Sequence, residues 1–400
     1  MFKRFLVFLI ALTCILNYCI GQSKVVLSDS ISLKIPENNI DYSDYIFSFD
    51  DDAIHLYDYI TGKSYSFHYN GEFIYSNRIY PYNNRNDALS GASFYANNDK
   101  EFYLKTHRLQ YFNDSLISTG RIETTFDTVR FLRRHNSNPP FEVSLQDSIL
   151  IVSVSSCPND LWVSDNKWSE VRFYQSPGLF AIYDISEFLK AQNSDILNPS
   201  SLIGVRSKVY TEIKFLPHID FISWFFDSKK RQIVYCEEAD YHINVIDLKG
   251  SVIKSFGERG KFVQDRKVVS IPQLTGTRPE RSKQMETARL KGPSYQALFH
   301  DNNFVYRIYK APLKDEYITS DSVFESFDSR RVLDSKREKY LQIYSLSGKN
   351  NCIADFQLPL SLSVLNIRDD IVYANKTIDK MNKEVKIYKY KVVLQESKRE

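Results

Sequence analysis

The sequence has few residues of the types that define small secreted scaffolds. It holds five Cys, 13 Gly and 13 Pro in 400 residues, and only Cys157, Cys236 and Cys352 follow residue 21. So few and so widely spaced cysteines exclude a disulfide-dense scaffold. They leave one disulfide bridge, which the sequence does not assign, or three small apolar side chains in a core.

A strong charge of one sign is also missing. Lys and Arg number 52 against 49 Asp and Glu, which gives a net charge of +3. Nucleic acid is therefore not expected as a partner, because phosphate binding needs a concentrated basic surface. No apolar run after residue 21 is long enough to span a bilayer. The sequence therefore predicts a chain without a transmembrane segment.

Common catalytic motifs are absent as well. The sequence contains no Gly-x-Ser-x-Gly, no phosphate-binding loop, no His-Glu-x-x-His and no dinucleotide glycine fingerprint. We therefore expect no cofactor. Apolar residues make up 43% of the chain, so disorder is excluded and a large core is expected. With 27 Tyr and 27 Phe, the composition favours β-strands.

The first 21 residues have the pattern of a cleaved secretory signal. Lys3 and Arg4 precede an apolar run over residues 5–16, and small residues lead up to Gln22. The alternative is a lipoprotein signal ending at Cys14 or Cys19, although neither follows the small residue that such a signal needs. The sequence therefore predicts an exported protein, periplasmic or secreted, with lipid anchoring as the less favoured alternative.

One sequence unit, a polar turn followed by a strongly apolar strand, recurs along residues 22–400. Helical periodicity is nearly absent, and residues 186–192 are the best helical candidate. A hairpin with an Asp or Ser turn ending in Gly follows several copies of the unit, most clearly at residues 243–256. The six copies are residues 52–57, 100–104, 147–152, 231–235, 303–306 and 370–373.

Six repeats of about four strands predict an all-β, six-bladed β-propeller that forms a single domain. A row of immunoglobulin-like sandwiches is the main rival, but six copies of the unit fit it poorly. A propeller needs its ring closed. The strand left over before the first repeat, residues 24–36, is expected to close it beside residues 386–394 of the sixth blade.

Four segments resemble the six-bladed propellers of the NHL-like group: Asp247-Leu248-Lys249-Gly250, residues 256–262, residues 292–295 and residues 304–307. The chain looks closest to a family of exported bacterial propellers that carry a domain of unknown function. The resemblance covers the whole chain after the signal. The first three repeats contain less Gly than the family pattern.

Two insertions are candidate binding segments, since extra loops are where most scaffolds carry binding residues. Residues 162–174 bring Trp162, Trp168 and Tyr174 together with polar residues, and such aromatic faces stack on sugars or anchor a protein partner. The alternative is that these rings fold inward. Residues 261–291 hold eight basic and three acidic residues, and there Arg278, Arg281 and Lys283 would dock an anionic glycan or an acidic protein; the alternative is a solvated loop.

Histidines and aspartates supply the candidate metal ligands. The seven histidines lack metal spacing. Propeller lactonases and lyases resemble this chain in architecture and place metal ligands around the central channel, which makes His218, His242 and His300 the alternative candidates. Residues 50–52, three consecutive Asp, are a possible calcium site but are more typical of a turn.

The sequence thus favours a monomeric, exported, non-catalytic binding or scaffold module for a protein or glycan of the cell envelope. The competing interpretation is a propeller hydrolase, lactonase or lyase that uses histidine and acidic residues of the channel.

Overall fold

A computed structural model describes sixteen parts of the chain. They are residues 23–36, 45–58, 63–78, 93–97, 100–105, 108–113, 116–133, 137–161, 175, 178–190, 193–213, 221–261, 263, 276–317, 327–346 and 351–394. The predicted signal peptide lies outside these residues. No helix among them is long and apolar enough to cross a membrane.

The described residues form six sheets, antiparallel apart from two short parallel pairings, which we number as blades 1 to 6 in chain order. An additional strand, β1 (Lys24–Lys34), precedes blade 1. Blade 1 contains β2 (Tyr45–Phe49), β3 (Ala53–Asp58), β4 (Lys63–His68) and β5 (Phe73–Arg78). Blade 2 contains β6 (Ser93–Asn97), β7 (Lys100–Lys105), β8 (Arg108–Asn113) and β9 (Leu116–Ile122).

Three short strands precede the first strand of blade 3. β10 (Thr125–Phe126) and β11 (Val129–Arg133) form a hairpin that joins the sheet of blade 3, and β12 (Ser137–Asn138) joins the sheet of blade 4. Blade 3 contains β13 (Phe141–Ser144), β14 (Ile149–Pro158), β15 (Phe180–Asp184) and β17 (Pro199–Ile203), while β16 (Asn193–Leu197) joins the edge of blade 2. Blade 4 contains β18 (Ile222–Asp227), β19 (Gln232–Glu237), β20 (Ile243–Asp247) and β21 (Val252–Phe256). Blade 5 contains β22 (Ser294–His300), β23 (Phe304–Lys310), β24 (Lys339–Ser345) and β25 (Cys352–Leu358). Blade 6 contains β26 (Val364–Arg368), β27 (Ile371–Asp379), β28 (Glu384–Val393) and β1.

All six copies of the repeated sequence unit form second strands, one in each blade: β3, β7, β14, β19, β23 and β27. A second strand has a strand on either side and a neighbouring blade against each of its faces. It therefore reads as a nearly continuous apolar run, since no position faces water. All six residues of β3 are buried, for example.

An apolar core cluster lies between every two neighbouring blades, including blades 6 and 1. Ile31 and Leu33 of β1 pack with Ile54 and Leu56 of blade 1 in the last of these clusters. Six sheets joined in this way form a closed ring. The chain is a six-bladed β-propeller, as the sequence predicts.

The N-terminal strand closes the ring. β1 pairs antiparallel with β28, with Lys24 opposite Val393 and Lys34 opposite Glu384, and so becomes the outermost strand of blade 6. This confirms the predicted closure. It also means that the first and last described strands of the chain hold each other in place.

The first strands of the blades lie on the inner side of the ring, where β6 contacts β2 and β13, and β22 contacts β18 and β26; in blade 4, β12 pairs with part of the inner edge of β18. Such strands have free N–H groups on their inner edges. Side chains from the preceding blade accept several of them. Glu142 Oε2 accepts from Phe226 N–H at 2.8 Å, and Ser223 Oγ accepts from Leu298 N–H at 2.7 Å.

In the described part of the chain, the α-helices lie in connections between strands. They are α1 (Lys208–Ile213), α2 (Arg278–Lys291) and α3 (Phe327–Ser335). The predicted helix over residues 186–192 is wrong, because residues 186–190 form turns held by Leu189 N–H on the carbonyl of Ile185. This single turn lies against the core through Phe188 and does not propagate.

The three cysteines that follow residue 21 are free in the structure, Cys157 and Cys236 being buried and Cys352 half-buried. Of the two alternatives drawn from the sequence, one disulfide bridge or three small apolar side chains, the structure shows the second.

Candidate functional site

The two ends of the ring differ in their connections. We call the end where second strands finish, and where one blade leads to the next, the upper face; the opposite end is the lower face. Because strands alternate in direction, both insertions predicted from the sequence leave from the upper face. The second insertion contains α2. The connections that contain α1, α3 and the β10–β11 hairpin leave from the same face.

The lower face carries mainly short turns closed by aspartates. Asp50 Oδ1 accepts the N–H groups of Asp52 and Ala53, and Asp301 Oδ1 accepts those of Asn303 and Phe304. The exception is the connection that holds β16. Residues 50–52 thus form a turn, the second of the two alternatives drawn from the sequence.

The Asp50 turn is locked by a buried histidine. His55 Nε2 lies 2.9 Å from Asp50 Oδ2, and its Nδ1 lies 2.7 Å from Ser66 Oγ. Although these are the residue types of a hydrolase triad, His55 and Ser66 are fully buried inside blade 1. A substrate has no access to Ser66, so this group stabilises the blade.

The upper end of blade 4 holds a more accessible histidine. His242 Nδ1 lies 2.7 Å from Asp240 Oδ1, and the backbone N–H of His242 donates to the same oxygen. The His242 side chain is 42% exposed, whereas that of Asp240 is 5% exposed. Nε2 has no hydrogen-bond partner among the residues that the structure describes.

Asp240 is held on its other side by the start of α1. The Ser207 hydroxyl donates to Asp240 Oδ2, and the Ser207 N–H donates to Glu237 Oε2 at 2.6 Å. Ser207 Oγ also accepts from Val209 N–H, which caps α1. A carboxylate fixed in this way orients the imidazole so that Nε2 can accept a proton or a ligand hydrogen bond.

Beside this Asp–His pair, buried Arg307 joins blades 4 and 5. Its guanidinium donates to the carbonyl oxygens of Tyr241 and Glu258, the latter at 2.6 Å. Gly257 adopts φ +114°, and a Cβ there would lie 2.7 Å from the Tyr241 oxygen, so only glycine fits this close approach. The loop that carries His242 is therefore tied to the neighbouring blade.

Helix α2 covers residues 278–291 of the second predicted binding segment. Its N-terminus is capped by Glu280, whose Oε2 accepts from Thr277 N–H at 2.6 Å. Leu290 packs on Leu313 and Leu333 of the blade 5 connection. The alternative of a solvated loop is thus excluded for residues 278–291, which form a helix anchored at its C-terminal end.

Ion pairs fix the anchored end of α2 against α3. Arg289 Nη1 of α2 lies 3.6 Å from Asp334 Oδ1 of α3, and its Nε lies 2.9 Å from Glu286. Lys310 and Arg337 both bond to the same Asp334. Burial alone would raise the pKa of Asp334, but the nearby cations outweigh it and hold that pKa below its usual value. Asp334 therefore stays ionised and holds the cations at the contact between α2 and α3.

The site residues predicted from the sequence fall in three groups: residues outside the described part of the chain, residues of α2, and two histidines, His242 and His300. Trp162, Trp168, Tyr174 and His218 lie outside the described residues. Arg278, Arg281 and Lys283 occupy the first two turns of α2, and the backbone of Lys283 accepts from Thr287 Oγ1.

His242 and His300 do not share a site. His300 lies at the lower end of β22, where it is exposed and stacks on Phe225 with ring centroids 3.8 Å apart. His242 lies at the upper end of blade 4. Within the described part of the chain, no three His, Cys, Asp or Glu side chains are placed to hold a metal ion.

The sequence analysis missed Glu142, on the innermost strand of blade 3. Protein atoms crowd its carboxyl and raise its pKa to about 8, although the hydrogen bond from Phe226 N–H opposes the shift. The alternation in Phe141-Glu142-Val143 is typical of a side chain that faces water. In the ring, however, the next blade covers this position.

Replacing Glu142 by Gln should make the stability of the ring less dependent on pH. The folded chain holds the Glu142 proton more tightly than the unfolded chain, so this group stabilises fully below about pH 4.5 and loses its contribution as pH rises through about 8. Discounted for partial solvent exposure, the effect is about 2 kcal/mol.

The measurement is urea denaturation of wild type and Glu142→Gln at pH 5 and pH 8.5. We expect the variant to gain about 2 kcal/mol relative to wild type between the two pH values. Parallel pH profiles for the two proteins would contradict an elevated pKa at Glu142.

No protein-family model matches the chain, and a comparison with curated proteins finds no significant match. Among solved structures it is similar to a member of the DUF4221 family from Bacteroides vulgatus atcc 8482, with a TM-score of 0.60 and 11% identity over 94% of this chain and 99% of that chain. A protein from Bacteroides fragilis NCTC 9343, named as exported, gives a TM-score of 0.50 and 10% identity over 92% and 95% of the two chains. The resemblance predicted from the hairpin motifs is confirmed at the level of fold.

An inactive variant of virginiamycin B lyase from Staphylococcus aureus is more distant. Its TM-score is 0.38 and its identity is 8%, over 91% of this chain and 100% of that chain. A likeness at this level says nothing about activity.

Proposed function

We propose that the protein is an exported, non-catalytic binding module that holds a protein or glycan partner of the cell envelope on its upper face. The observation that carries this proposal is the asymmetry of the ring: the long connections leave from the upper face, and the lower face has mainly short turns. Binding residues concentrate on such connections when a rigid scaffold positions them. Export is supported by the N-terminal sequence and by the likeness to a bacterial protein named as exported.

Two chemistries are available on the upper face. Residues 162–174, with Trp162, Trp168 and Tyr174, connect the upper ends of β14 and β15. Helix α2 carries Arg278, Arg281 and Lys283 in its first two turns. Aromatic rings suit the faces of sugars, and cations suit anionic groups of a glycan or an acidic patch on a protein.

The helix is a prepared platform. Its capping by Glu280 and the packing of Leu290 order it before any partner arrives. A preordered segment loses less conformational entropy on binding, which favours affinity. The support for a monomer is that the ring is already closed by its own N-terminal strand.

The test compares two triple variants of the exported chain, residues 22–400. The α2 variant replaces Arg278, Arg281 and Lys283 by Ala. The control variant removes the same number of positive charges from the lower face, by replacing Lys100, Lys229 and Lys249 by Ala. A thermal-shift screen against neutral and anionic glycans comes first, since a ligand at 100 times its dissociation constant adds about 2.7 kcal/mol. The affinity of both variants is then measured for each glycan that shifts the unfolding temperature, or for a partner identified by cross-linking.

We expect at least a tenfold loss of affinity in the α2 variant and in Trp162→Ala/Trp168→Ala, and less than a twofold change in the lower-face control. Equal losses from both faces would exclude the proposal, and so would a partner held only through the lower face.

A second candidate function rests on the Asp240–His242 pair. An imidazole oriented by a buried carboxylate is suited to general-base catalysis, as in a propeller hydrolase or lyase. Under this interpretation His242→Ala would abolish turnover of a substrate while leaving its binding intact. Under the binding proposal, the same variant changes affinity at most.

A further inference from the structure

The hydrogen bonds of Asp240 determine which nitrogen of the neutral His242 ring carries the proton. Asp240 Oδ2 accepts from the Ser207 hydroxyl, and Oδ1 accepts from the backbone N–H of His242. His242 Nδ1 lies 2.7 Å from the same Oδ1. The proton is therefore on Nδ1, because a carboxylate only accepts hydrogen bonds. Nε2 of the neutral ring is then a hydrogen-bond acceptor.

This acceptor is exposed and is held in one orientation. The His242 side chain is 42% exposed, and Nε2 has no hydrogen-bond partner among the residues that the structure describes. Both ring nitrogens of buried His55, by contrast, are bonded within blade 1. An acceptor that is oriented before a ligand arrives loses little conformational entropy on binding. His242 Nε2 is therefore suited to accept a hydrogen bond from a hydroxyl group of a ligand.

A guanidinium lies close to the same imidazole. Arg259 Cζ is 5.4 Å from the centroid of the Tyr241 ring, and the centroid of the His242 imidazole is 4.1 Å from it. The two groups are therefore no farther apart than the sum of these distances, which a short oligosaccharide spans. Arg259 is exposed, and a guanidinium has five N–H donors in a geometry that matches a carboxylate.

Buried Arg307 holds both segments in place. It donates to the carbonyl oxygens of Tyr241 and Glu258. These two residues directly precede His242 and Arg259 in the sequence. The acceptor and the cation are thus fixed relative to each other by one side chain of the neighbouring blade.

Cations predominate around this pair of side chains. In residues 207–209, 240–242 and 257–261, the exposed charged side chains are Lys208, Glu258, Arg259 and Lys261. Three of these four side chains are cations, so the local field favours an anionic ligand.

A uronic acid residue presents both groups that this arrangement recognises. Its ring hydroxyls donate to an acceptor such as an imidazole nitrogen, and its carboxylate accepts from a guanidinium. A neutral sugar lacks the carboxylate. An acidic side chain of a protein has the carboxylate, but it has no hydroxyl fixed next to it.

We infer that His242 and Arg259 form a subsite for a uronate residue of an acidic glycan. His242 Nε2 accepts a hydroxyl of the sugar, and the Arg259 guanidinium binds its carboxylate or that of the adjoining sugar residue. The inference rests on the proposed function, because it assigns an acidic glycan as the partner of the upper face. It adds a contact at the upper end of blade 4, apart from α2 and residues 162–174.

The test is isothermal titration calorimetry of the exported chain with oligomers of galacturonate, glucuronate and mannuronate at pH 8. This pH is at the upper end of the range in which imidazole groups titrate, about pH 5–8. His242→Phe keeps a flat ring against Tyr241 and removes Nε2, and Arg259→Gln removes the cation. His68→Phe and Arg231→Gln are the matched controls, because both residues are exposed on the lower face. Thermal unfolding followed by circular dichroism establishes that the variants fold.

Wild type and both controls are expected to bind at least one uronate oligomer, with affinities within twofold of one another. His242→Phe and Arg259→Gln should each weaken that binding at least tenfold. The methyl ester of the same oligomer keeps the sugar hydroxyls but lacks the charge. Wild type should bind the ester at least tenfold more weakly, and Arg259→Gln should cause less than a twofold further loss.

Absence of wild-type binding to all three uronates would overturn the inference, and so would equal affinities of wild type and His242→Phe. If affinity fell in the α2 variant but in neither His242→Phe nor Arg259→Gln, the subsite would be excluded while the proposed function would stand. Uronate binding that none of these upper-face variants weakens would exclude both. Tighter binding of polyglutamate than of every uronate would assign the site to an acidic protein and also overturn the inference.

Nitrogen-15 NMR of the histidine side chains gives a second readout, in the wild-type chain itself. The free protein is expected to show the Nδ1–H tautomer of His242, and the Nε2 signal should shift when the uronate oligomer is added. The spectrum of His242→Phe serves only to assign that signal. An Nε2 signal that stays unchanged at saturating uronate would contradict the inference.

Discussion

Removal of residues 23–34 from the exported chain is expected to abolish its cooperative unfolding transition. These residues form β1, the outermost strand of blade 6, and its ladder with β28 runs from Lys24 to Lys34. Ile31 and Leu33 are buried between blades 6 and 1. Without them the ring has a seam, because blade 6 loses a strand and the contact with blade 1 is exposed.

The expected loss is comparable to the whole stability of the protein. Burial of each large aliphatic side chain contributes about 2 kcal/mol, and two such side chains and a full ladder are lost. The sum is at least about 5 kcal/mol, whereas folded proteins are stable by about 5–15 kcal/mol. Differential scanning calorimetry of the truncated chain should show no sharp transition.

A peptide of residues 23–36 added in excess should restore that transition, because it can pair with the free edge of β28 as an added strand. The control is Val26→Ser/Leu27→Ser, which changes only exposed positions of β1 and should keep the wild-type midpoint. An unchanged midpoint in the truncated chain would contradict closure by β1.

Replacement of Arg307 by Met is expected to cost about 3–5 kcal/mol. Arg307 is fully buried in β23. Its guanidinium donates to Gln342 Oε1, to Tyr344 Oη at 2.7 Å and to the carbonyl oxygens of Tyr241 and Glu258. Met fills a similar volume but leaves these acceptors without a donor.

The guanidinium is also stacked. Its carbon lies 4.6 Å from the centroid of the Tyr295 ring and 5.2 Å from that of Tyr344. Lys at this position should therefore fail as well, because an ammonium cannot reach four acceptors or lie flat between two rings. Both variants should separate blade 4 from blade 5 and lower the midpoint of urea unfolding.

Arg259 provides the matched control. It lies over the ring of Tyr241, at 5.4 Å from the centroid, but it is exposed. Arg259→Met should cost less than about 1 kcal/mol, the usual size of an exposed cation–π contact. If Arg307→Met lowered the free energy of unfolding no more than Arg259→Met, the contact between blades 4 and 5 would not depend on Arg307.

The architecture was predictable because the apolar strand of the repeated unit indicates a position that is buried in every blade. Residues 149–152, Ile-Leu-Ile-Val, are apolar without interruption, which is typical of a strand covered on both faces. Closure was predictable for a related reason, since Lys24–Lys34 was a strand without a blade of its own. Both inferences used patterns that extend over many residues.

Individual side chains were less predictable. Helix α2 is polar on nearly all sides and is anchored at its C-terminal end by Leu290, so it lacks the apolar periodicity of an ordinary surface helix. Its Thr277, Pro279 and Glu280 form a capping sequence that could have located it. Arg307 within Phe304–Lys310 carried a signal too, since an arginine inside an apolar strand must be paired.

The site itself depends on partners far apart in sequence. His242 and Asp240 are two residues apart, but the orientation of Asp240 comes from Ser207, which belongs to the connection from blade 3. Glu142 owes its raised pKa to the neighbouring blade. Neither relation can be read from local sequence, because each requires the ring to be assembled.

Placement of a photo-reactive amino acid on either face of the ring tests most directly the claim that the upper face is the binding face. Met381, in the upper turn of blade 6, is 93% exposed, and Lys249 is exposed in a lower turn of blade 4. After irradiation in the native envelope, we expect a defined protein or glycan adduct from position 381 and none from position 249. The same adduct from both positions, or an adduct from position 249 alone, would contradict the account.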